Sequence, residues 1–322
     1  VAIGPAFFGI AWCVPVQDPE SIPVTHVERT RDMAYPIIMH VNYCEQGQTV
    51  QEICAKAAAW GYDGVEFRRK RTGVEETTED YLGALEEGVR ASGLKQVLFG
   101  YPGPLLIKED ADEREREVEE AIAFYRHVHE RFGVTTVNLL TGALHNPDKS
   151  TSYFEYTKHG SFIATGEQWA WQVKGCQALA DGLADLPIRF GFETHMVYVH
   201  DTAEAVRRLI DDIDRPSIGA NPDYGNIIGF EKHPTLEEVI ELLAGKIHYV
   251  HLKNSAPLRG AAGRLATALG EGEINNRQFV RLLMETGYEG PICVEAPRPG
   301  DREWYAQQDL AYLRSVLDDL GV

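Results

Sequence analysis

Thiols are scarce in this chain of 322 residues: the five cysteines, Cys13, Cys44, Cys54, Cys176 and Cys293, are odd in number and nowhere spaced as C-x-x-C. That argues against a disulfide framework and a thiolate zinc site, and it fits a reducing cytoplasm. Basic residues are also few, 31 against 49 acidic ones, which leaves a formal charge of −18. Such a surface repels phosphate backbones and anionic lipid, so neither nucleic acid nor a membrane is an expected partner. A long apolar run is missing too. The nearest approach, Val1 to Val16, has no basic start, is interrupted by Pro5 and Pro15, and falls short of the ~20 residues of a spanning helix. It reads as an ordered amino-terminal arm whose Phe7, Phe8 and Trp12 suit a subunit interface. No Gly-x-Gly-x-x-Gly turn follows the first predicted strand, so a dinucleotide-binding sheet lacks its fingerprint.

What the chain does have is a regular alternation of strand and helix, with 44% hydrophobic residues, enough for one large core. After an arm over residues 1–35, Pro36–Val41 is the first expected strand and Thr49–Trp60 the first helix, with Thr49 as its cap. Strands follow at Asp63–Arg68, Lys95–Tyr101 and Val134–Leu140, with helices at Thr78–Ser92 and Asp112–Phe132. A long irregular loop, Thr141–Gly166, separates strand four from its helix. Four further strands contain Glu193, Asp223, His251 and Glu295, and their helices are expected at Thr202–Asp214, Thr235–Leu243, Asn275–Thr286 and Glu303–Leu320. Eight strand–helix units of this kind predict an α/β fold: a single (β/α)8 TIM barrel over residues 36–322, with the amino-terminal arm and a long β4–α4 loop.

In such a barrel every strand ends on the same face, so residues far apart in sequence converge there. Glu193, Asp223, His251 and Glu295 each close a short apolar run. Three carboxylates and one imidazole form an oxygen-rich divalent-metal set, and one nitrogen among them favours Mn2+, with Mg2+ as second choice. A lone carboxylate at a strand end is usually a cap or a solvated loop residue. Four on four consecutive strands point to a metal.

Gly61-Tyr-Asp-Gly-Val-Glu66, Phe192-Glu193-Thr-His195, Asn221-Pro-Asp223-Tyr-Gly-Asn226, Val250-His251-Leu-Lys253, Gly270-Glu-Gly-Glu273-Ile and Val294-Glu295 together resemble the xylose isomerase-like superfamily of TIM barrels. The resemblance implies metal ligation by Glu193, Asp223, His251 and Glu295, with Glu193 and Glu295 also serving as an acid/base pair. It implies proton transfer next to the carbonyl of a keto sugar, as in sugar isomerases, ketose 3-epimerases and inosose dehydratase. The epimerase pattern is not complete. Asn226 stands where tagatose-type epimerases carry a histidine, and the arginine they place after the metal histidine is not found in His251-Leu-Lys253-Asn-Ser-Ala-Pro.

The β4–α4 loop adds His145 and the aromatic residues Tyr153, Phe154, Tyr156 and Phe162. With the arm, these features resemble the metal-bearing subunit of bacterial C-glycoside deglycosidases, which implies cleavage of the C–C bond of a 3-oxo-C-glucoside and a smaller β subunit as partner. In that reading His145 or Glu295 removes the proton, and Glu66, His195, Lys253 and Asn226 contact substrate. Ketose 3-epimerase or aldose–ketose isomerase is the alternative enzyme reading. A non-catalytic sugar-binding or scaffold subunit is the alternative of another class. Either way an oligomer is expected.

Overall fold

A computed structural model describes residues 35–71, 73–100, 103–258 and 263–322. The expected arm, Tyr35 apart, lies outside the described residues. In chain order the strands are β1 Ile37–His40, β2 Gly64–Arg68, β3 Gln96–Gly100, β4 Thr136–Leu139, β5 Arg189–Glu193, β6 Ile218–Asn221, β7 Val250–Leu252, a hairpin of β8 Ser255–Pro257 and β9 Arg264–Ala266, and β10 Ile292–Val294. The helices are α1 Val50–Trp60, α2 Thr78–Ser92, α3 Ala111–Phe132, α4 Gly166–Gly182, α5 Ala203–Ile213, α6 Tyr224–Ile227, α7 Leu236–Leu243, α8 Asn276–Glu285 and α9 Arg302–Leu320.

The helices begin and end where their chemistry dictates. Thr49, Thr165 and Thr235 cap α1, α4 and α7, each with a Glu or Gln three residues on that returns the hydrogen bond. Gly93 and Gly133 end α2 and α3 in the left-handed region, where a side chain would be strained.

Eight parallel strands run in the order β6-β5-β4-β3-β2-β1-β10-β7. The seam between β6 and β7 is closed by isolated bridges, Ala220 to Ile247 and Asp223 to His251, rather than by a full ladder. The result is a nearly closed (β/α)8 barrel. Its seam sets Asp223 and His251 side by side at the mouth.

Alternation along each strand divides the barrel into two environments. Outward residues such as Met39, Val65, Phe67, Phe99, Val137, Phe190, Phe192 and Val294 join the main apolar core beneath the helices. Inward, apolar packing is confined to a plug of Ile38, Leu98, Tyr249 and Cys293. Above the plug the inward positions turn polar: His40, Glu66, Asn138, Glu193, Asn221 and His251 are all buried. Phe190 shows the weight of the outer layer, being fully buried and edge-on to Tyr125 with ring centroids 5.2 Å apart. Phe190→Ala is expected to cost about 3–5 kcal/mol of stability in urea unfolding; a loss below about 1 kcal/mol would refute this packing.

Candidate metal centre

The polar layer is built from strand ends. Glu193 ends β5, His251 is the middle residue of β7, Glu295 follows β10, and Asp223 follows β6 as the cap of α6. One ligand-type atom from each of these four lies within 4.8 Å of all the others. His251 sits at the centre. Its Nδ1 is 2.8 Å from Glu295 Oε2, 3.9 Å from Asp223 Oδ2 and 4.0 Å from Glu193 Oε2, while its Nε2 is 2.8 Å from Glu66 Oε2.

Amide side chains hold the carboxylates in place. Asn138 Nδ2 donates to Glu193 Oε2 at 2.8 Å, Asn226 Nδ2 donates to Glu193 Oε1 at 3.0 Å, and Asn42 Nδ2 donates to Glu295 Oε1 at 3.1 Å. Asn221 in turn donates to Asn138 Oδ1 at 3.0 Å. Each donor leaves the carboxylate's other lone pairs free to face inward. His40 Nδ1 accepts from the Asn42 backbone N–H at 3.2 Å, which aims Nε2 at Glu66 and Glu295, 3.7 and 3.9 Å away.

Charge is concentrated here. Four carboxylates, Glu66, Glu193, Asp223 and Glu295, surround His251 and Lys253, whose Nζ lies 2.7 Å from Asp223 Oδ2 and 3.1 Å from Glu295 Oε2. Burial disfavours every charge in the cluster, yet the partners decide the outcome. Burial opposes ionisation of Glu66, but the charge and hydrogen bond of His251 outweigh it and bring the carboxyl down to about 2. Asp223 goes the other way: burial, reinforced by Glu193 and Glu295, pushes it up to about 6 against the pull of Lys253. Burial works against the imidazolium of His251, but Glu66 and Glu295 hold it protonated well above the usual range. An excess of buried carboxylates around one centre is what a divalent cation neutralises, and oxygen donors with a single nitrogen suit Mn2+ or Mg2+. The residues fit such an ion.

The remaining expected site residues fall into two groups. Asn226 and Lys253 join the cluster directly, with Lys253 Nζ 3.4 Å from Asn226 Oδ1. Glu66 is 1% exposed on the cavity floor with one oxygen committed to His251. His195 is half-buried on the wall, edge-on to Tyr198 with centroids 5.1 Å apart. His145 is not brought to the cluster. It is exposed in the β4–α4 loop, with its ring 5.6 Å from His159 and 6.2 Å from Tyr153.

Asn42, Asn138 and Tyr198 were not singled out by sequence. Asn138 has a readable signal, since it is the one polar residue within Val137-Asn138-Leu139 at an inward position. Asn42 sits in a 3-10 turn, Val41–Cys44, with no comparable pattern.

Two cavities meet at the donors. A polar one of about 150 Å³ is lined by His40, Arg68, Asn138, His195, Tyr198 and Glu295. A second, of about 310 Å³, opens beside Lys253 and Glu295 and is walled by Phe154, Tyr156, Met196 and Pro297. Gly225 makes room there: a Cβ at that position would lie 2.1 Å from Lys253 Cγ.

The β4–α4 loop is tied to the turn after β5 by the Ser161 N–H, which donates to Asp201 Oδ2 at 3.1 Å. Burial raises the Asp201 carboxyl to about 7, and its Oδ1 has no hydrogen-bond partner. Between the ordinary aspartate range and about pH 7 the folded state therefore keeps a proton that the unfolded chain has lost, so this group's contribution to stability falls as pH rises. Buried His200, brought down to about 4 by desolvation, contributes with the opposite sign up to its ordinary value. Asp201→Asn removes only the first effect. The variant's stability advantage over the parent is expected to widen from pH 4 to 7 and then level off, at about 1.4 kcal/mol per pH unit at most. A difference independent of pH in thermal melts would contradict it.

A family model described as xylose isomerase-like TIM barrel matches residues 54–316. The chain belongs to that family. Among curated proteins, inosose dehydratase of Clostridium botulinum is 25% identical over 143 residues, 40% of this chain and 47% of that protein. The chain thus spans about half the length of the curated relatives it matches. Among solved structures, a xylose isomerase-like TIM barrel protein from Mycobacterium smegmatis in complex with magnesium superposes with a TM-score of 0.71 at 18% identity, covering 89% of this chain and 98% of that one. The 3-keto-D-glucoside 4-epimerase of E. coli superposes with a TM-score of 0.66 at 15% identity, covering 88% and 100%. Among the described residues no helix is long and apolar enough to cross a membrane.

Proposed function

We propose that the chain is a divalent-metal enzyme that removes a proton next to the carbonyl of a keto sugar. The observation that carries this reading is the convergence of Glu193, Asp223, His251 and Glu295 within 4.8 Å at the edge of a polar cavity. A scaffold subunit has no use for carboxylates concentrated at such a cost. The inosose dehydratase and 3-keto-D-glucoside epimerase likenesses support the same substrate type, since both printed names denote keto compounds of sugar-like form. The ion, manganese ahead of magnesium, supplies Lewis acidity toward the carbonyl oxygen.

The chain's own groups do the rest. Glu295 borders both cavities, and with Oε1 held by Asn42 it is the preferred base for the proton beside the carbonyl. Glu193, fixed by Asn138 and Asn226, is the partner that returns a proton. Lys253 and Asn226 orient sugar oxygens from one side, and His195 with Tyr198 does so from the other. His145, exposed in the loop, is the weaker candidate for the base.

The outcome depends on what stands beside the enolate. Where the carbon next to it carries a substituent able to depart, elimination follows. The 310 Å³ cavity with Phe154 and Tyr156 suits an aryl group, which supports cleavage of a 3-oxo-C-glucoside as the finer reading. The exposed Phe154, Phe162 and Leu265 around it suit a smaller partner subunit or a second copy. The polar 150 Å³ cavity taken alone suits a free sugar, and with it ketose epimerisation or isomerisation. The test is proton exchange: metal-loaded chain in D2O with a 3-oxo-C-glucoside and, separately, with free ketoses, read by NMR after removal of the protein. Aglycone release, with or without an added subunit, supports the lyase; deuterated ketose with a new epimer or aldose supports the alternative. No exchange into either would contradict the proposal.

A further inference from the structure

Glu66 lies where the apolar plug of the barrel ends and the polar layer begins, and an aliphatic side chain would be the simplest occupant of that position. Instead a carboxylate is buried there, 1% exposed, and both of its oxygens are committed. Oε2 is 2.8 Å from His251 Nε2, and Oε1 accepts from Asn138 Nδ2 at 3.2 Å. The same Asn138 amide donates to Glu193 Oε2 at 2.8 Å. One buried side chain therefore touches His251 directly and Glu193 through a single amide.

The neighbouring strand is shaped around it. Gly100, at the end of β3, faces the Glu66 carboxylate, and a Cβ at residue 100 would fall 2.0 Å from Oε1. Any larger residue there would force that oxygen off Asn138.

We infer that Glu66 is a positioning residue for the metal: it accepts the Nε2–H of His251, leaving Nδ1 as the ligand atom, and through Asn138 it sets the rotamer of Glu193. The inference rests on the metal reading above. Of the two ring nitrogens, Nδ1 is the one facing Glu193, Asp223 and Glu295, so the hydrogen bond to Glu66 selects the tautomer the other three donors require. Glu66, His251 and Cys293 also form a compact trio, but it is not a second cation site. With Nδ1 as the ligand atom, Nε2 keeps its proton and donates it to Glu66 Oε2 at 2.8 Å, so that side of the ring offers no lone pair to an ion. Among the described residues this leaves one ion site, not two.

The experiment titrates metal-stripped wild type and Glu66→Gln with MnCl2 and MgCl2 by calorimetry. It also records the histidine ring nitrogens of 15N-labelled, Mg2+-loaded wild type and Glu66→Ala by NMR. Expected are one site per chain, about 10–100-fold weaker binding in Glu66→Gln with unchanged stoichiometry, and a His251 ring protonated at Nε2 in wild type whose slowly exchanging signal is lost in Glu66→Ala. Binding by Glu66→Gln within about twofold of wild type overturns the inference while leaving the metal reading standing, as does a loaded wild-type His251 protonated at Nδ1. The wild-type spectrum decides even if a variant fails to fold. Wild type that takes up neither ion overturns the metal reading, and this inference with it.

Discussion

Glu295→Gln is expected to lower the rate of proton exchange from a keto sugar by about 10²–10⁴-fold, the usual contribution of a positioned general base. The amide is isosteric, and Asn42 can still reach its oxygen, so the fold has no reason to change. What is lost is the basic lone pair, together with one anionic donor facing His251 and Lys253. Metal affinity should fall as well, so exchange must be compared at saturating ion. A variant that exchanges within tenfold of the parent under those conditions would transfer the base role elsewhere, with Glu193 next in line by position. His145→Ala, by contrast, should leave exchange within a few-fold of the parent, because that ring lines neither cavity.

The second large effect concerns the ion itself. Asp223→Asn is expected to abolish stoichiometric divalent binding at micromolar metal and to remove activity with it. The substituted side chain would still accept the Asn226 N–H that Asp223 Oδ1 accepts at 3.2 Å, so α6 keeps its cap. It would not offer the anionic Oδ2 that faces His251. A ligand present at 100 times its dissociation constant stabilises a fold by about 2.7 kcal/mol. The wild type should therefore melt several degrees higher with saturating Mn2+ than with chelator, and the variant should show no such difference. An equal metal-dependent shift in both proteins would place the ion elsewhere.

Much of this architecture is legible in the sequence because its physics is local. The capping threonines and terminal glycines mark α1, α2, α3 and α7 to within a residue or two. Glu193, Asp223, His251 and Glu295 are legible because each interrupts an apolar run at its end. Two elements are not: α6, four residues long and capped by Asp223, and the β8–β9 hairpin, whose strands of three residues fall below any periodicity. The role of Glu66 is hidden for a different reason. A carboxylate at a strand end reads as open to the mouth, and only the register that pairs Glu66 with His40 and Leu98 shows that it points inward beside His251. His145 lies away from the cluster because a histidine after β4 is free to leave the mouth when a long loop, from Leu139 to Gly166, joins β4 to α4.

The most direct test of the metal-dependent account is a calorimetric and elemental analysis of the purified chain, metal-stripped and then titrated with Mn2+, beside Asp223→Asn. The account predicts one equivalent bound by the wild type, none by the variant, and exchange of a keto-sugar proton into D2O only in the loaded wild type. A wild type that binds no divalent ion, or that exchanges protons equally well in the presence of chelator, would contradict it.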